Sequence, residues 1–324
     1  MRTREWVVVI GMLAALSAGV ESQQPAGQAT ALPAVPAREP AWAFPVQAGS
    51  LPAEPPGPKS IAGSTKKYTT AEIDDLLNPP DWLPETHPPA PAIVQKGHGA
   101  ALACGACHLM SGLGHPESAD LTGFTAAYFI QQMADFKAGT RKDYARMNGI
   151  AKELSDDEIR QAAEWFAALP RQRFVRVVEQ ATVPKTFVGQ GRMRFVSPEG
   201  GTEPIGNRII TLPENQELAR LRDPRSGFVA YVPPGSIARG RTLVEGGGGR
   251  TVTCAICHGD GLKGLANVPR LAGLHPIYVA RQLHLFKDGN RAGPDAPLMK
   301  KPVAQLTDAD ILNISAYVAS LSPQ

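Results

Sequence analysis

The chain has four cysteines among its 324 residues, and all of them fall in two copies of one five-residue pattern: Cys104-Gly105-Ala106-Cys107-His108 and Cys254-Ala255-Ile256-Cys257-His258. C-x-x-C-H is the pattern for covalent attachment of c-type haem. Two residues between the cysteines let one helical turn present both sulfurs to the two vinyl groups of a porphyrin. The next residue, histidine, is then aimed at the iron, so His108 and His258 are the expected proximal ligands. A structural zinc site brings its C-x-x-C halves within about 15–20 residues of each other, whereas nearly half of this chain lies between them. With every cysteine consumed in this way, a disulfide scaffold is excluded.

The elements that must carry these turns are themselves repeated. At an offset of 150 residues, Leu121, Gly123, Tyr128, Gln132, Phe136, Lys137, Gly139 and Arg141 return as Leu271, Gly273, Tyr278, Gln282, Phe286, Lys287, Gly289 and Arg291. After a two-residue insertion, Met147, Leu154 and Ile159 return as Met299, Leu306 and Ile311. Two homologous domains are the simplest account. Each reads as helical. A first helix is expected around Ala92 to Leu102 and Ile237 to Glu245, and a middle helix over Phe124 to Lys137 and Pro276 to Lys287, stopped by Gly139 and Gly289. The closing helices start at capping boxes, full at Ser155 to Glu158 and approximate at Thr307 to Asp310. Ile159, Ala162, Phe166 and Leu169, and Ile311, Ile314, Val318 and Leu321, follow at helical spacing. A thioredoxin-like redox pair needs a βαβ setting, which this helical repeat does not supply.

The sixth iron ligand must come from elsewhere in each copy. Thioether sulfur suits haem iron and raises its potential. Of the seven methionines only Met147 and Met299 repeat with the internal offset. Both are expected on a loop between the middle and closing helices, placed to fold over the open face of the haem. His98, His115, His275 and His284 are rival ligands, but none has a histidine counterpart in the other copy.

Around these units the chain is irregular. Two arginines and an apolar run from Trp6 to Val20 have the layout of a secretory signal peptide, residues 1–22, and the run is shorter than the roughly 20 residues of a membrane span. Residues 23–91 hold half of the 30 prolines and read as an extended, largely disordered tether with one short helix at Thr70 to Leu77. Residues 171–235 match neither copy and alternate β-type runs (Phe174 to Val178, Met193 to Val196, Asn207 to Leu212, Phe228 to Val232) with turn clusters. This connector is rich in arginine (Arg171, Arg173, Arg176, Arg192, Arg194, Arg208). It reads as a structural or solvated segment in preference to a docking surface for an acidic partner. A net charge of +3 is too weak for a nucleic-acid binder.

The C-x-x-C-H turn, the Leu-x-Gly followed by Tyr, Gln, Phe and Gly-x-Arg, the loop methionine and the Leu-Ser/Thr-Asp closing helix resemble the class I cytochrome c fold. In tandem they resemble the dihaem class I cytochromes c of the bacterial periplasm. The resemblance implies an all-α architecture of two tandem domains, residues 92–170 and 236–324, with the tether and the partly β connector outside them. It implies two covalently bound haem c groups on Cys104, Cys107, Cys254 and Cys257, with iron held by His108 and Met147 and by His258 and Met299. It also implies a periplasmic carrier of single electrons, not an enzyme, between a dehydrogenase or quinol-oxidising donor and an oxidase or reductase. The partners would be redox proteins, with membrane association only if the N-terminal segment is retained. The alternatives are a dihaem peroxidase or oxidase with one open haem, or the cytochrome subunit of a dehydrogenase complex. In the family, a proline carbonyl usually accepts the hydrogen bond of the proximal histidine. Pro269 supplies it in the second copy, but Ala119 stands there in the first, where its own carbonyl, or one near Pro116, can serve. Mass spectrometry of the denatured mature protein should show the polypeptide plus two haem masses; one or none would exclude a dihaem protein.

Overall fold

The computed structural model describes residues 38–143 and 145–324. The expected signal peptide and residues 23–37 of the expected tether lie outside the described residues. A short helix α1 (Thr70–Asp74) precedes the first repeat. That repeat contains α2 (Ala92–Gln95), α3 (Gly105–His108), α4 (Ala126–Ala138), α5 (Met147–Glu153) and α6 (Asp156–Ala168). The capping signals act as expected. Thr125 caps α4 through the Tyr128 amide, Gly139 ends it at φ 75°, and Ser155 and Glu158 close a full capping box on α6. Ile159, Ala162 and Phe166 of α6 then pack with Met133 and Phe136 of α4 and Ile93 and Val94 of α2 in the first core.

The first helix is shorter than expected. It stops at Gln95, and the Gly97 amide donates to Leu77 O at 2.8 Å. A Cβ at Gly97 would lie 2.3 Å from Ala101 O, so this residue permits a tight turn that a helix running to Leu102 would have to straighten.

The connector and second repeat follow. β1 (Val175–Glu179), β2 (Thr182–Pro184), β3 (Thr186–Val188), β4 (Arg194–Val196), β5 (Thr202–Pro204), β6 (Ile210–Pro213), α7 (Gln216–Arg220) and β7 (Phe228–Val232) lead into α8 (Ser236–Gly246), α9 (Ala255–His258), α10 (Pro276–Lys287), α11 (Pro297–Val303) and α12 (Asp308–Ser320). The four expected strands are present, and β2, β3 and β5 are additional. β1 runs parallel to β7 with Val175 opposite Phe228, and β6 pairs antiparallel with β7 with Ile210 opposite Tyr231. The β1–β7 pair joins the two ends of the connector, a long-range pairing that local sequence does not announce. Most of these connector arginines work inside the segment or against its neighbours. Arg208 bonds Glu203 at 3.0 Å, Arg176 lies 3.6 Å from Glu214, Arg194 bonds Thr186 and Arg173 bonds Ser320 O.

The sheet packs on α12, which also meets α8 and α10. This closing helix is therefore buried almost all round, whereas α6 keeps a charged face. Its capping box is full, with Asp310 Oδ2 accepting from the Thr307 amide at 2.9 Å. At Gly240 the backbones of α8 and α12 come so close that a Cβ would sit 2.0 Å from Asn313 O.

The proline-rich stretch is the main correction. Residues 38–91 are docked rather than loose. Ile61, Ile73, Trp82 and Leu83 form a small core with Leu221 of the connector, and Trp82 Nε1 donates to Leu221 O at 2.7 Å. Trp42, Ala43 and Phe44 enter the second core, where Arg281 Nε donates to Ala43 O at 2.9 Å. Prolines leave few amides needing partners and lose little entropy on docking, so aromatic and aliphatic side chains hold the segment with little regular secondary structure beyond α1.

The repeats face each other across a local two-fold relation. Arg141 pairs with Arg291 in an antiparallel bridge, flanked by Lys142 N to Asn290 O at 2.8 Å and Ala292 N to Thr140 O at 2.7 Å. Each guanidinium bonds the glutamine of both repeats: Arg141 to Gln132 and Gln282 at 2.9 Å, Arg291 to Gln282 at 3.0 Å and Gln132 at 2.8 Å. One equivalent pair is unlike. Arg270 occupies the position that Asp120 holds in the first repeat, and the two form a buried ion pair. Arg270 also donates to Thr122 O at 2.7 Å and Ala272 O at 2.7 Å, while Asp120 accepts from the Thr122 amide. Arg270→Met would leave a buried carboxylate without its cation and should destabilise the haem-loaded protein by about 3–5 kcal/mol, read from its chemical denaturation. Adding Asp120→Asn should recover most of that loss; no recovery would mean that the charge pair is not what holds this contact.

Candidate haem centres

Each C-x-x-C-H sequence forms one isolated helical turn, as the attachment chemistry requires. Cys104 and Cys254 are the N-terminal flanking residues of α3 and α9, and His108 and His258 end them. The turns are anchored alike, Cys104 N to Ile93 O and Cys254 N to Val244 O, both at 3.0 Å. Burial pushes the Cys104 thiol up to about 12 and the Cys254 thiol up to about 11. Among the described residues no group of three or more His, Cys, Asp or Glu is arranged to hold a metal ion.

The histidine geometry is the most specific feature. His108 Nδ1 lies 2.8 Å from Ala119 O, and His258 Nδ1 lies 2.8 Å from Pro269 O. A carbonyl only accepts, so Nδ1 carries the hydrogen in both rings and the Nε2 lone pair is free for a metal. Burial lowers both histidine pKa values below the ordinary range, favouring the neutral ligand form. Ala119 thus does the work of the missing proline: the acceptor is a main-chain carbonyl, and its position follows from the shared loop. The ring of His108 meets Phe166 edge-on at 6.2 Å, placing it against the closing helix.

The methionines expected as second iron ligands sit on different elements than the repeat pattern suggests. Met147 opens α5 and Met299 lies within α11, so both are on short helices, not on a loop. Cys104 and Met147 both pack against the first core, and Cys254 and Met299 against the second. A tie that sequence reading missed holds Met147. Asp143 Oδ2 accepts from the Met147 amide at 2.8 Å and the Arg146 amide at 2.7 Å, and Asn148 Nδ2 donates to Phe136 O at 2.7 Å. Asp143 also acts on His108 electrostatically, raising its basicity against the effect of burial.

The rival histidines make other contacts, although His275 Nδ1 and His284 Nε2 are buried without a hydrogen-bond partner among the described residues. His98 bonds Glu158 at 2.6 Å, His115 meets Ser118 at 3.1 Å, His275 meets Leu113 O at 3.2 Å, and His284 meets the edge of Phe44. One further observation bears on fit. Beside Met147, Arg146 holds a buried Nη1 without a hydrogen-bond partner among the described residues, a donor suited to a carboxylate such as a porphyrin propionate. The sulfurs, the oriented imidazoles, the thioethers and this donor all fit haem.

The sequence profile of the family Cytochrome c matches residues 237–322. Cytochrome c-554(548) of Halomonas halodenitrificans is 39% identical over 69 residues, covering 21% of this chain and 83% of that protein. Cytochrome c4 of Stutzerimonas stutzeri is 25% identical over 234 residues, 70% of this chain and 89% of that protein. The thiosulfate dehydrogenase electron acceptor of Thiomonas intermedia is 26% identical over 239 residues, 72% of this chain and 86% of that protein. Two helical turns that offer paired sulfurs and a correctly oriented imidazole, together with these matches, show that the chain belongs to the cytochrome c family.

Proposed function

We propose that this cytochrome c works as a periplasmic dihaem carrier, with one haem c in each of two tandem domains, residues 92–170 and 236–324. The observation that carries the reading is the duplicated C-x-x-C-H turn with Nδ1 of each histidine committed to a main-chain carbonyl. Cys104 and Cys107, and Cys254 and Cys257, hold the two groups by thioether bonds; His108 and His258 are the proximal ligands, and Met147 and Met299 the distal ones. Haem c supplies a one-electron iron couple. The chain sets that couple's potential through the soft thioether and a low-dielectric wall, keeps water from the metal, and holds the axial side chains so that little reorganises as charge changes.

The relatives support a place between a dehydrogenase and a further acceptor, since one of them is named as the electron acceptor of thiosulfate dehydrogenase. Periplasmic location is supported by the charged and apolar N-terminal pattern of the sequence. No helix among the described residues is long and apolar enough to cross a membrane.

The test is ligation. The oxidised protein should show the weak near-infrared sulfur-to-iron band for two haems, and the reduced protein should resist carbon monoxide. Met299→Ala should open one haem to carbon monoxide and lower its potential, because the thioether favours the ferrous state, and Met147→Ala should do the same to the other. If the native protein binds carbon monoxide readily at one haem and turns over peroxide, the carrier reading fails.

A further inference from the structure

The two haem-attachment turns are equivalent in sequence and opposite in exposure. Among the described residues six large apolar side chains are exposed, and four of them lie in the second repeat, on the segments that carry its attachment turn and Met299: Val252, Ile256, Leu265 and Leu298. Val252 precedes Cys254, Ile256 lies between the two cysteines, Leu265 sits against Gly259 beside His258, and Leu298 adjoins Met299. Their counterparts in the first repeat are Leu102, Ala106, His115 and Arg146, and none is exposed. The contrast is sharpest between the cysteines, where Ile256 is 71% exposed and Ala106 1%.

The difference is built by the two segments outside the repeats. The small core of Ile61, Ile73, Trp82, Leu83 and Leu221 joins the proline-rich segment to the connector and sets both over the first turn. Arg222, next in the chain, donates to Ala106 O; Leu76 O receives the Ala103 amide at 3.1 Å; and a Cβ on Gly105 would lie 3.7 Å from Pro79. Nothing comparable covers Ile256 among the described residues.

Resting on the carrier reading, we infer that the chain exchanges electrons with protein partners through one port, the edge of the second haem, while the first is closed to docking. The partner is a redox protein presenting an apolar patch edged with carboxylates. Exposed apolar side chains gathered on the segments that carry one attachment turn mark an interaction surface. On the same segments Lys263, Lys300 and Lys301 are exposed and make no ion pair among the described residues, and Arg250, bound to Asp310, is still half exposed. Two exposed carboxylates, Asp260 and Asp295, share these segments, so cations outnumber anions and an acidic rim is the complement.

The experiment uses the haem-loaded full chain, reduced, and follows its oxidation by an acidic blue-copper protein and, separately, by ferricyanide in stopped flow. Ile256→Ser with Leu298→Ser removes apolar contact without adding charge at side chains that fill no core. That double variant should react with the copper protein about tenfold more slowly, equivalent to about 1.4 kcal/mol, and with ferricyanide within about twofold of the native rate. Ile130→Ser, an exposed apolar site on α4 of the first repeat, should leave both rates unchanged. An unaltered copper-protein rate in the double variant, or an equal loss in Ile130→Ser, overturns the port while leaving the carrier reading intact. If neither oxidant reoxidises the reduced native chain, the carrier reading falls and the port with it.

Discussion

An imidazole can bind iron only through a nitrogen whose lone pair is free, and in this chain one hydrogen bond in each repeat secures that condition. The donor is Nδ1 of His108 or His258, and the acceptor is a carbonyl eleven residues later, of Ala119 or Pro269. Much of each repeat serves to keep that pair in register. The helical turn fixes the histidine, the loop behind it fixes the carbonyl, and in the first repeat the closing helix sets Phe166 against the ring. A proline stiffens the loop but the hydrogen bond does not need one, which is why alanine is tolerated at the first site.

Contact between the repeats adds a second constraint. Arg141 and Arg291 lie face to face, two like charges held by neutral glutamine and tyrosine groups from both sides. Repeated residues alone would let two first repeats, or two second repeats, pair equally well. Asp120 and Arg270 remove that degeneracy, because like pairing would bury two carboxylates or two guanidiniums together. Glu117 and Arg281 add another ion pair across the same contact, with burial pushing the Glu117 carboxyl above its ordinary range against the pull of Arg281.

The segments outside the repeats then break the equivalence of the two haem edges. The connector sheet packs on α12 and makes one core with the second repeat, while the proline-rich segment and Leu221 close over the first attachment turn. The second turn remains bare. The two attachment turns, alike in sequence, are thereby made unlike in exposure.

The C-x-x-C-H spacing, the 150-residue repeat, the capping boxes and the recurrence of Met147 as Met299 were legible in the sequence, because each is a local or periodic pattern whose physics acts within a few residues or is written twice. What escaped it depends on partners distant in the chain. The early end of α2 at Gly97 is set by Leu77, the order of the proline-rich segment by Leu221 and Arg281, and the parallel β1–β7 pair by strands at opposite ends of the connector. Sequence also showed Asp120 and Arg270 only as a mismatch in the repeat. Their burial together, and the covering of one haem edge but not the other, were decided by tertiary structure, since burial belongs to the packed molecule and no single segment carries it.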